Sequence, residues 1–370
     1  MKIVCGKESL IKVLNIAESI ISTKNNISIL SNVLIESKMS SLKISACETT
    51  ISFFAEIGAD IIEEGSISVY CNRFYTIVKK LDCEEIEIST DEKNIVTIKP
   101  KSSKKSIYNL NGISADKFPP VKPVEDIEFF SLNQQIFTEM TKKTIFSVAQ
   151  TESRRFVSGV LFEKSDENIK MVSTDGKRLS LINKAKIINN IENCNIIIPP
   201  KILNEIVKIC TGNGDIQLAI NNKNIIIRID NFYFISNLLE GEFPPYQRVI
   251  PTDQSNFFNV SRKELFDCID RISTIGDKES HKVIFTISEN SLMIHTENIT
   301  LGSGEEFIFI EYSGPKIEMA LNSQFINEML SIITTDKVVF EFKDSQAPVT
   351  VKEFGHNDYI YVMLPMSLQG

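Results

Sequence analysis

Ile3-Val4-Cys5-Gly6-Lys7-Glu8-Ser9-Leu10 opens the chain as an apolar run passing straight into a helical pattern, with Leu10, Val13, Leu14 and Ala17 on one face. The same transition returns twice. Phe129-Phe130-Ser131-Leu132 leads into Gln135-Ile136-Phe137, and Phe257-Phe258-Asn259-Val260 leads into Glu264-Leu265, where Leu265, Cys268, Ile269 and Ile272 keep helical spacing. The period is about 125 residues, and self-similarity on that scale decides the fold before any single motif does.

Two further elements recur in the same order. Ser41 to Ser45, Asn168 to Val172 and Ser291 to His295 are alternating strands after polar turns. Arg73 to Leu81, Pro200 to Cys210 and Ser323 to Ile333 read as helices, each followed by a strand beginning near Glu85, Ile216 and Lys337. Each repeat therefore holds two helices among a larger number of antiparallel strands. The pattern resets after Phe118-Pro119-Pro120 and after Phe243-Pro244-Pro245-Tyr246-Gln247-Arg248-Val249-Ile250-Pro251, where paired prolines fix an extended linker that is not expected to join either neighbouring sheet through its N–H groups. The expectation is an α+β chain of three tandem copies of one domain, spanning 1–125, 126–251 and 252–370.

The 370 residues carry a formal charge of −8, and 42% hydrophobic with 24% charged residues is a globular composition. Roughly one residue in six or seven is Ile and Trp is absent, which favours β-branched strand packing over aromatic platforms. Charge at Lys2, Lys7 and Glu8 argues against a secretory signal, and no run of 18 apolar residues suggests a membrane span. Seven cysteines without a C-x-x-C read as free buried thiols in a reducing cytoplasm, so a cytoplasmic protein without metal is expected. His281, His295 and His356 lack metal spacing, and no phosphate-cradling or nucleophile-elbow motif occurs, which speaks against an enzyme. Segment by segment, the six helical stretches sum to +5 and leave −13 for the rest, so a side built from helices is basic although the whole is acidic.

Thr174-Asp175-Gly176-Lys177-Arg178-Leu179 joins two alternating runs and is first of all a hairpin turn. The equivalent positions in the other repeats read Cys47-Glu48-Thr49-Thr50 and Glu297-Asn298-Ile299-Thr300, so the turn needs neither the glycine nor the two cations. One repeat has diverged where its siblings show what the fold alone tolerates, and that marks a site. With Phe243 to Pro251, Arg154 ahead of Val157-Ser158-Gly159-Val160-Leu161-Phe162-Glu163, and the terminal Val362-Met363-Leu364-Pro365-Met366, these motifs resemble the bacterial DNA polymerase III beta subunit family, the sliding clamps, over the whole chain.

The resemblance implies a hydrophobic peptide-binding pocket between the second and third domains, lined by Val157, Thr174, Gly176, Lys177, Arg178, Leu179, Pro244, Arg248, Val249, Asn322, Phe325, Val362, Met363, Leu364, Pro365 and Met366. Aliphatic and methionine side chains make an adaptable groove there, and Arg side chains and exposed N–H groups anchor the polar ends of a peptide carrying Leu and Phe. It implies sequence-independent contacts of double-stranded DNA with Lys24, Arg73, Arg154 and Arg155, with Lys79, Lys142, Lys143 and Lys201 as weaker candidates. It implies a head-to-tail homodimer in which Tyr108 and Leu110 meet Ile272 and Ile275 of a second copy. Twelve helices at about 10 Å each then line a circumference near ~120 Å around a hole of roughly 28 Å. The implied partners are the replicative DNA polymerase, an ATP-driven clamp loader and other proteins bearing the clamp-binding motif; no cofactor, catalysis or membrane is implied. Ser28, Arg155, Ser280, Gln346 and Ser367 depart from the family's usual residues, and Gln369 and Gly370 extend past its usual terminus.

Overall fold

The computed structural model of the chain describes residues 1–21, 29–102, 106–121, 124, 127–150, 157–165, 167–185 and 193–368. The first repeat supplies β1 (Lys2–Gly6), α1 (Lys7–Ile20), β2 (Asn32–Lys38), β3 (Ser41–Cys47), β4 (Ile51–Glu63), β5 (Gly65–Tyr70), α2 (Cys71–Lys80), β6 (Glu85–Thr90), β7 (Ile95–Pro100) and β8 (Tyr108–Ile113). The second supplies β9 (Phe130–Asn133), α3 (Gln134–Ile145), β10 (Val160–Ser165), β11 (Asn168–Thr174), β12 (Arg178–Ala185), β13 (Cys194–Ile198), α4 (Pro200–Ile209), β14 (Asp215–Ile220), β15 (Asn224–Ile229) and β16 (Phe232–Asn237). The third supplies β17 (Asn256–Ser261), α5 (Arg262–Ser273), β18 (Lys282–Ser288), β19 (Ser291–Asn298), β20 (Gly302–Phe309), β21 (Ile317–Asn322), α6 (Ser323–Ile332), β22 (Lys337–Phe342), β23 (Val349–Glu353) and β24 (Tyr359–Met363). The strand-to-helix transition, the alternating second element and the second helix recur in every repeat as the sequence requires.

Local chemistry explains the elements. In β6, Ile86 and Ile88 are buried while Glu85 and Glu87 face outward, the period-2 signature of a half-buried strand. Helix α1 buries Leu10, Val13, Leu14 and Ala17 on one stripe and packs against α2; α5 likewise packs against α6. The side chains of Ser261 and Asn322 accept the N–H groups of Glu264 and Phe325, capping α5 and α6.

Packing divides the chain into two compact units that cut across the repeats: Met1–Gln135 with Asn204–Leu238, and Ile136–Leu203 with Leu239–Gly370. The first holds a 12-stranded antiparallel sheet of order β1-β6-β7-β8-β5-β2-β3-β4-β16-β15-β14-β9. Its strands run on from the first repeat into the second through β4 and β16, where Phe53 opposes Phe234 and Phe54 stacks on Tyr233 at 4.6 Å. The second unit holds an eight-stranded sheet, β13-β10-β11-β12-β24-β23-β22-β17, and a four-stranded sheet, β20-β19-β18-β21. Here β12 and β24 make the continuation, with Leu179 opposite Val362 and Arg178 opposite Met363. None of the seven cysteines is in a disulfide; Cys5, Cys47, Cys71 and Cys268 are buried, and Cys83, Cys194 and Cys210 are half-buried. No helix among the described residues is long and apolar enough to cross a membrane.

Candidate functional site

The divergent turn after β11 is built by its own side chains. Asp175 Oδ1 accepts the N–H groups of Lys177 (2.9 Å) and Arg178 (3.0 Å), and the Thr174 hydroxyl donates to the Arg178 carbonyl at 2.6 Å. Gly176 sits at φ +87°, a left-handed conformation in which a side chain is strained even though a Cβ would meet only open space. The turn is then tied to the end of the chain, because the Leu364 N–H donates to the Lys177 carbonyl at 2.9 Å.

Beside this turn lies a cavity of about 640 Å³ within the second unit, lined by Ala149, Val157, Thr174 to Leu179, Pro244, Pro245, Tyr246, Arg248, Val249, Val362 and Leu364. Its floor is the β12–β24 pair, whose Leu179 and Val362 belong to a buried cluster with Leu161, Val172, Leu181, Ile197 and Tyr246. One wall is the divergent turn and the other is the Pro-Pro linker, whose Tyr246–Val249 stretch forms a short 3₁₀ turn. An apolar trough of this size rimmed by a few polar groups suits short hydrophobic segments.

Most of the expected pocket residues meet here, and some do not. Asn322, Phe325, Met363, Pro365 and Met366 are off the wall. Met363 is 1% exposed because the strand alternates and turns it away from Val362. Asn322 is occupied in capping α6, and Met366 pairs with Ala320 through its N–H. The sequence reading missed Ala149, Asp175, Pro245 and Tyr246; all except Ala149 lie inside the motifs that drew attention.

Arg178 borders the cavity as expected, and its guanidinium is held by its neighbours. Its Nε donates to Asp175 (2.9 Å), Nη1 to Glu328 (2.5 Å) and Nη2 to the Phe146 carbonyl (2.8 Å), while the guanidinium lies 4.2 Å from the Phe325 ring centroid. Burial works against the charge, but Tyr361 and Glu328 hold its pKa above the ordinary value. A guanidinium held at all three nitrogens fixes that corner of the cavity. Lys177 and Arg248, by contrast, are exposed on the same cavity and make no ion pair among the described residues.

Of the DNA candidates, Lys24, Arg154 and Arg155 lie outside the described residues. Arg73 is exposed on α2, together with Lys79 and Lys80, which makes α2 the most basic helix at +3. Lys143 is excluded from such a role: it is buried, 2.5 Å from Glu353 and 2.9 Å from Glu139. Of the dimer candidates, Tyr108 is exposed and Leu110 half-exposed on β8. Residues Tyr108 to Asn111 pair with β7, whereas pairing with β5 begins only at Gly112, so one edge of that stretch is open among the described residues. Ile275 is half-exposed beside Gly304 of β20, which among the described residues pairs with β19 alone. Ile272 is 3% exposed and belongs to the core face of α5.

Known proteins share this design. Sequence profiles of the DNA polymerase III beta subunit match in order: the N-terminal domain over residues 1–122, the central domain over 131–245 and the C-terminal domain over 247–367. The chain is similar to the beta sliding clamp of Treponema pallidum, at 32% identity over 373 residues with each chain covered completely. A crystal structure of a putative DNA polymerase III beta subunit from Eubacterium rectale has a TM-score of 0.92 at 28% identity, with 100% of both chains covered. A sliding clamp from Pseudomonas aeruginosa bound to griselimycin has a TM-score of 0.93 at 25% identity, again with both chains fully covered.

Proposed function

Because the chain belongs to the bacterial DNA polymerase III beta subunit family, the beta sliding clamps, we propose that it acts as a non-catalytic processivity factor, closing as a head-to-tail dimer around duplex DNA. On this reading the three domains run 1–125, 126–251 and 252–370. The cavity at the divergent turn takes Leu- and Phe-bearing segments of the replicative polymerase, of the clamp loader and of other partners in the cytoplasm. The observation that carries the reading is the coincidence of divergence with construction: the one hairpin that departs from its sibling repeats is also the wall of the apolar cavity.

Tethering at this cavity raises the local concentration of a polymerase at the primer end without new chemistry. DNA itself needs only phosphate contacts, for which the exposed cations of α2 are candidates, so binding is sequence-independent and permits sliding. Loading the protein onto a nicked circular plasmid and then linearising the plasmid tests the reading. Loss on linearisation is expected of a topological link, and retention on linear DNA with free ends would sink it in favour of a protein that only binds peptides.

A further inference from the structure

The linker wall of the cavity hangs on one polar point. Among the described residues, no backbone group between Glu240 and Ile250 bonds to a strand; the bonds there are local, Tyr246 N–H to the Pro244 carbonyl (2.6 Å) and Arg248 N–H to the Pro245 carbonyl (3.2 Å). Pro245, at φ −67° and ψ 74°, makes an inverse γ-turn. The turn sends the Tyr246 ring inward, where it is buried, while Pro244, Arg248 and Val249 border the cavity.

At the bottom of that ring the Tyr246 hydroxyl donates to Oε2 of Glu163, on β10. Burial first, and the neighbouring carboxylate second, push the Tyr246 pKa up, so the phenol keeps its proton. Gln247 also reaches this hydroxyl, but it belongs to the same segment and ties nothing to the sheet. Glu163 does not border the cavity. It sits between Lys170 of β11 and Asn195 of β13, on a strand paired along both edges, and is therefore a rigid post.

We propose that Glu163 is a positioning residue for the pocket: by accepting the Tyr246 hydroxyl it fixes where the linker wall stands, and so the width of the trough. The inference rests on reading the cavity as a peptide site. A phenol–carboxylate bond is charge-assisted, and a buried phenol left without an acceptor is penalised. Removing the acceptor therefore lets Tyr246 shift toward water and carries Pro244 to Val249 with it.

The test uses the full chain, a fluorescein-labelled Ser-Leu-Ser-Leu-Phe peptide read by anisotropy, and amide exchange over residues 241–251 read by mass spectrometry. E163A and Y246F each weaken the peptide by roughly three- to tenfold. E163Q, which keeps an acceptor, stays within about twofold, and E163A/Y246F is no weaker than either single variant. Exchange over 241–251 rises in E163A and Y246F while β11 and β12 stay protected. Multiplicative losses in the double variant, or unchanged affinity in E163A, overturn the proposal. Unchanged exchange in E163A overturns it independently of any peptide, whereas failure of the wild type to bind the peptide removes the peptide-site reading instead.

Discussion

At the scale of single residues, Met363 and Leu364 separate what holds the chain together from what it offers. They are neighbours, yet Met363 is 1% and Leu364 47% exposed, because the strand ends between them and its alternation turns one side chain inward. A carboxylate at Met363 is buried without a partner, so Met363→Asp should destabilise the fold by about 3 kcal/mol or more. Leu364→Asp should stay within about 1 kcal/mol in urea denaturation yet abolish peptide binding, since it puts charge on the cavity wall. Equal loss of stability in both would show that the cavity is part of the core. The positions of Thr174 to Leu179 were legible because the sibling repeats supply a control for what the hairpin needs. The commitment of Arg178 was not, since Glu328 and Phe146 are distant in sequence and no spacing announces that they converge on it.

At the scale of elements, α3 is fastened to the β12–β24 floor by buried charge. Lys143 bridges Glu139 and Glu353 and lies over the Tyr359 ring; Lys184 reaches Glu139 at 2.7 Å and Asp358 at 2.6 Å. Lys143→Met leaves Glu353 buried without its cation and should cost about 3–5 kcal/mol; adding Glu353→Met should restore most of it. Burial raises the carboxyl pKa of Glu139 and Asp358, but Lys184 and Lys143 outweigh it and hold both below their ordinary values. Their contribution is therefore complete above the unfolded carboxylate range, near pH ~4, and is lost as pH falls through the lower folded values. Urea midpoints measured from pH 7 downward should fall in that acid window, and less so in K143M/E353M. Helix α2 makes a separate prediction: if Arg73, Lys79 and Lys80 meet phosphates, neutralising them should flatten the salt dependence of DNA loading by about 0.9 in log–log slope for each phosphate left unpaired. An unchanged slope would remove α2 from the DNA surface. Helices and strands were legible from periodicity within each repeat. The continuation of sheets through β4–β16 and β12–β24 was not, because those partners lie far apart in sequence and share only an apolar alternation that many strands have.

At the scale of the whole molecule, the proposed dimer would join two strand edges that are open among the described residues. A strand edge with unpaired N–H and C=O groups invites pairing unless it is blunted, and β20 is not blunted: Phe307 and Phe309 stand 67% exposed along it. The open stretch of β8 carries Tyr108 and Leu110. The two edges are different surfaces of one chain, so a contact between them is heterologous and ends either in a closed ring or in an open filament. The proposed head-to-tail dimer requires closure at two copies, and sedimentation equilibrium should then give twice the 41.8 kDa chain mass at micromolar concentration, with no larger species as concentration rises. Phe307→Asp and Tyr108→Asp place a charge on either edge without touching a buried residue, and each should return the single-chain mass while leaving the thermal midpoint of the monomer intact. A wild-type chain that sediments as a monomer, or mass that grows steadily with concentration, would contradict closure at two, and with it the topological link that the proposed function needs.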